Sequence, residues 1–65
     1  MNVYTVTIVY TFDLGGFVRE TVDVLAPSEG SAIDQAKDMV LFAHGYADGR
    51  ISVCSCRMVE EYENG

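Results

Sequence analysis

Hydrophobic and polar positions alternate from the start of this chain. In VYTVTIVYTF (3–12), Tyr4, Val6, Ile8, Tyr10 and Phe12 fall on one side, and Val3, Thr5, Thr7, Val9 and Thr11 on the other, because successive strand side chains point to opposite faces. β-Branched and aromatic residues fill nearly every position, as a pleated, half-buried surface favours. The bulkier set predicts a core-facing strand. DLGG (13–16) follows, and its paired glycines suit a hairpin turn. FVRETVDVLA (17–26) then predicts the return strand. Val18, Val22 and Val24 share its inner face, interrupted there only by Glu20; Arg19, Thr21 and Asp23 share the outer one.

The period changes after Ala26. Ala32, Ile33, Ala36, Met39, Val40 and Ala43 recur at the spacing of one helical stripe, with Asp34, Gln35, Lys37 and Asp38 opposite. Ser28 is placed to cap this helix, Glu29 suits its first turn, and Gly45 can close it in the left-handed conformation. Pro27 and Gly30 depart from a clean cap, and Gly30 favours a start nearer Ser31. Leu41 lies about 80° from Ile33 around the axis and Phe42 about 180°. Phe42 is therefore expected either to face solvent or a partner, or to be folded back by a tightened last turn.

After a turn at YADG (46–49), RISVCSCRMVEEY (50–62) alternates again as a third strand, and residues 63–65 are expected to fray. Regular alternation would put Cys54, Cys56 and Met58 beneath the helix. Ile51, Val53, Ser55, Arg57 and Val59 would then lie on the other face. Residues 1–62 thus read as one α+β domain of order strand, strand, helix, strand. A right-handed crossover gives a three-stranded antiparallel sheet of spatial order 2-1-3, with one helix on one face. The second face stays open. Its Val3, Val9, Ile51, Val53 and Val59 make a candidate dimer face, and the two outer strands have edges open to pairing.

Composition bounds the function. A chain of 65 residues allows one domain with a small core. It is 49% hydrophobic with mean hydropathy +0.15, too apolar to stay disordered. The net charge of −6 argues against holding a nucleic-acid backbone or an anionic membrane. It permits a partner protein with a basic surface. With no leader pattern and no long apolar run, the expected location is cytoplasmic, where thiols stay reduced.

Little in the chain reads as chemistry. Structural zinc needs four ligands, and only Cys54, Cys56, His44 and the nearby Asp48 offer themselves. A redox pair uses Cys-x-x-Cys at a helix start, not Cys-x-Cys on a strand. The two thiols read better as small core residues, and His44 as a solvated loop side chain. Gly15-Gly16 serves a hairpin and precedes no helix, so no phosphate loop is indicated. The expectation is a protein that is not an enzyme, with no metal and no cofactor.

The run from the alternating hairpin into the alanine-spaced helix, carried by Val22, Val24, Ala26, Ser28, Ala32 and Ala36, resembles a class of very small phage and prophage β-β-α-β proteins. Some anti-CRISPR proteins belong to that class, and several members block host defence complexes by binding them. The resemblance implies a phage or mobile-element inhibitor acting on a bacterial protein in the host cytoplasm. Asp34, Asp38 and Phe42 on the outer helix, with Glu60, Glu61 and Glu63 of the acidic end, are the expected partner-binding residues. The alternative is a self-assembling structural module that dimerises through the open sheet face or a strand edge.

Overall fold

The alternating segments form β1 (Asn2–Phe12), β2 (Phe17–Ala26) and β3 (Gly49–Glu61), and the periodic segment forms α1 (Glu29–Ala43). This computed structural model describes residues 1–45 and 48–61, the side chains of Glu60 and Glu61 excepted. Glu63, the 63–65 end expected to fray and part of the YADG turn lie outside the described residues. The sheet order is β2-β1-β3 with both pairings antiparallel, the arrangement expected from the pattern. β1, the most apolar strand, is central. Tyr4, Val6, Ile8 and Tyr10 are its buried side chains.

The β1–β2 turn is held by Gly15 N–H donating to the Phe12 carbonyl and Phe12 N–H donating to that of Gly16, both at 3.0 Å. Gly15 and Gly16 have φ of 103° and 86°, a region that a side chain would disfavour. Asp13 N–H donates to the Asp48 carbonyl at 3.1 Å, tying the turn to the start of β3.

The helix starts at Glu29, earlier than Gly30 suggested. Ser28 is its N-cap, with Oγ accepting the Ser31 N–H at 3.3 Å, which satisfies a first-turn donor. The buried line is Ala32, Ala36 and Val40, and two alanines at 0% exposure let the helix backbone lie close on the sheet. Leu41 packs against the core, whereas Met39 is 48% exposed and Ala43 is exposed. The true stripe is rotated away from Met39 and toward Leu41. Apolar character on both flanks of the alanine line left that rotation open in the sequence.

The third strand departs most from expectation. Its register against β1 shifts twice, between Thr7 and Ile8 and between Val3 and Tyr4. Thr7 faces Ser55 while Ile8 faces Val53, so Cys54 is an extra residue, a β-bulge. Val59 is extra in the same way, because Tyr4 faces Met58 and Val3 faces Glu60. Beyond the first bulge every side chain changes face. Ile51 and Val53, expected on the open face, instead pack against the core, and Cys54, expected beneath the helix, is exposed. Energetics decide this. An unbroken alternation would turn Ser52 and Arg50 toward Tyr10 and Phe12. The bulge turns Val53 and Ile51 there instead, worth roughly 1.5–3 kcal/mol each when fully buried. It also avoids burying an unpaired guanidinium, which costs several kcal/mol. Met58 keeps its inner register but remains 53% exposed.

Candidate functional site

Two surfaces remain once the core is assigned: the outer side of the helix and the open face of the sheet. On the helix, Asp34, Asp38 and Phe42 stand at i, i+4 and i+8, so they follow one ridge that winds about 80° around the axis. All three are exposed, Phe42 at 74%. Met39 lies beside that line. Gln35, also on this side, donates its amide to the Leu25 carbonyl at 3.3 Å and to Ser31 Oγ at 3.4 Å, fixing the helix to the end of β2. Phe42 thus keeps the outward position that its angle around the axis implied. Of the acidic end, the backbone of Glu60 and Glu61 extends β3, and Glu60 stands opposite Val3.

The helix C-terminus holds residues that the sequence did not single out correctly. His44 is not a solvated loop side chain. It is partly buried, its Nε2 lies 3.0 Å from Glu20 Oε1, and its ring centroid lies 5.7 Å from that of Tyr10 and 5.6 Å from that of Phe12. Glu20, the one acidic interruption of the inner β2 face, therefore has a polar partner at the edge of the core. The signal was there: a carboxylate on an inner face needs a donor, and His44 is the polar residue at the helix end that the topology returns to β2.

The cysteines do not form a joint site. Both are free, Cys54 on its bulge and Cys56 partly buried opposite Val6. Burial pushes the Cys56 thiol up from its ordinary range, and the Glu29 carboxylate adds to the shift. Both effects disfavour the thiolate, the form that attacks electrophiles and binds metals. Among the described residues no three His, Cys, Asp or Glu side chains cluster as a metal site.

The open face presents Val3, Thr5, Thr7, Val9 and Thr11 from β1, flanked by Phe17, Arg19, Thr21, Asp23 and Leu25 of β2. On the β3 side stand Arg50, Ser52, Ser55 and Arg57. Thr5 Oγ1 donates to Asp23 Oδ1 at 2.7 Å, and the Thr7 and Thr21 hydroxyls are 3.0 Å apart. Val3 and Val9 are half-buried here as expected, while Ile51 and Val53 have left this face. Thr11, Asp13, Arg50 and Ser52 line an open hollow of about 350 Å³ at the hairpin end. No helix among the described residues is long and apolar enough to cross a membrane. No protein family, curated protein or solved structure matches the chain.

Proposed function

We propose that this chain is a small protein-binding module whose outer helix line docks on a basic surface of a partner protein. The observation that carries the reading is the exposure of Asp34, Asp38 and Phe42 along one winding ridge of the helix, an aromatic anchor next to two carboxylates. Large exposed aromatics are the side chains that anchor interfaces, and rim carboxylates speed encounter with a basic patch. The reading assigns no catalytic step and no cofactor. The resemblance to small phage and prophage proteins directs it further, to a bacterial defence protein or complex that binding would block in the host cytoplasm. Affinity capture from a bacterial lysate tests it. The Phe42→Ala/Asp38→Lys double variant should lose the protein that the unaltered chain retains; equal retention would place the surface elsewhere.

A second reading is self-association through a strand edge. β2 is an outer strand, and its pairing with β1 runs without interruption from Phe17 to Ala26. β3, the other edge, is broken by two bulges, a device that discourages edge pairing. Self-assembly would therefore use β2. Sedimentation equilibrium at micromolar concentration tests this, and a strict monomer would contradict it.

A further inference from the structure

The bulge at Cys54 does more than bury Ile51 and Val53. Arg50 and Arg57 are seven positions apart, so an unbroken strand would place them on opposite faces. The extra residue turns Arg50 to the open face, where it joins Arg57, at the positions opposite Thr11 and Thr5. Arg19, opposite Val9 across β1, joins them from the other side. Three of the chain's four Lys and Arg residues thus converge on one surface of a protein with net charge −6. Among the described residues none of the three arginines makes an ion pair or a side-chain hydrogen bond. Asp23 is the one carboxylate within that surface whose side chain is described, its Oδ1 accepting the Thr5 hydroxyl, and Glu60 holds the register position opposite Val3. Asp13 borders it at the hairpin turn.

We propose that this open face is a second docking surface, independent of the helix line, and that it takes an acidic helical segment of a partner protein. Charge decides the sign of the occupant. Glu29, Asp34 and Asp38 sit in the helix layer on the far side of the sheet, about 10 Å behind it. A Debye length of about 8–10 Å at physiological ionic strength weakens their reach to the open face. Guanidinium forks then recognise carboxylates in pairs of parallel hydrogen bonds. Shape decides the rest. A sheet face is ordinarily covered by a helix, and Val3 with Leu25 at one end and Val9 with Phe17 at the other supply apolar footing. Arg50 and Arg57 are about 20 Å apart along β3, a span that four turns of helix match. A single-stranded nucleic acid fits less well, since it needs several stacking aromatics, and among the described residues this face carries Phe17 alone.

The test is amide NMR of the intact chain titrated with a synthetic helical peptide bearing glutamates on one side and a leucine stripe on the other. Saturable shifts are expected at Thr5, Thr7, Arg19, Thr21 and Arg57. Arg19→Glu/Arg57→Glu should weaken binding about tenfold or more, and Arg19→Gln/Arg57→Gln less, with the dispersion of the free spectrum confirming that each variant folds. Lys37→Gln, which removes the remaining Lys/Arg charge outside this face, should leave this binding unchanged, which separates the face from the helix. Three results would overturn the proposal: no shifts or shifts confined to the helix; stronger shifts of the same amides with oligothymidylate; or movement of these amides on dilution alone, which would make the occupant a second copy.

Discussion

Gly49 shows how closely the strands approach at the start of β3. A Cβ added there would fall against the Thr11 carbonyl oxygen and the Tyr10 ring, and backbone cannot retreat as a flexible side chain can. Gly49→Ala is expected to destabilise the fold by about 1–3 kcal/mol, read from urea unfolding; a change of a few tenths would mean the strands separate freely here. The two thiols give another residue-scale expectation. Cys54 is exposed, while Cys56 is partly buried with its pKa raised by burial and then by Glu29. Iodoacetamide should therefore modify Cys54 first, and Cys56 should gain reactivity only at pH above the usual thiol range. Because the folded-state pKa is the raised one, Cys56 favours folding below that range and loses this contribution as pH climbs through its shifted value. Peptide mapping after timed alkylation reads the order, and equal rates would contradict it.

At the scale of elements, the strand order, the hairpin, the capping serine and the helix were legible because each has its own periodicity or its own end signal. The face of β3 was not. In RISVCSCRM the apolar positions change phase, from Ile51 and Val53 to Cys56 and Met58, and Cys54 carries the second phase one step further back. A cysteine is apolar enough to read as core, so the regular alternation looked complete. The competing cost was visible only with the partner strand in place, where the unbroken phase sets Arg50 against aromatic core. If the bulge is the reason for the change of face, removing Cys54 should leave Val53 opposite Ile8 and Ile51 opposite Tyr10 in a regular strand. Deletion of Cys54 is therefore expected to fold with stability within about 1 kcal/mol of the parent. Failure to fold would show that the bulge itself is required. His44 was missed for a related reason: its partner Glu20 lies 24 positions away, and no local spacing joins them.

Over the whole molecule, the sheet separates charge. Exposed Asp34 and Asp38 stand on the helix side, while Arg19, Arg50 and Arg57 gather on the open face. Net charge alone pointed to one basic partner and hid the second, opposite surface, because Arg50 joins Arg19 and Arg57 there only through the bulge. On the proposed function, the acidic helix ridge makes the main docking contact. The most direct measurement is the dissociation constant of the captured partner at low and high salt, for the unaltered chain and for Asp34→Lys/Asp38→Lys. Affinity is expected to fall with added salt in the unaltered chain. The variant is expected to bind weakly at both salt levels. Equal affinity of the two proteins, unchanged by salt, would contradict it.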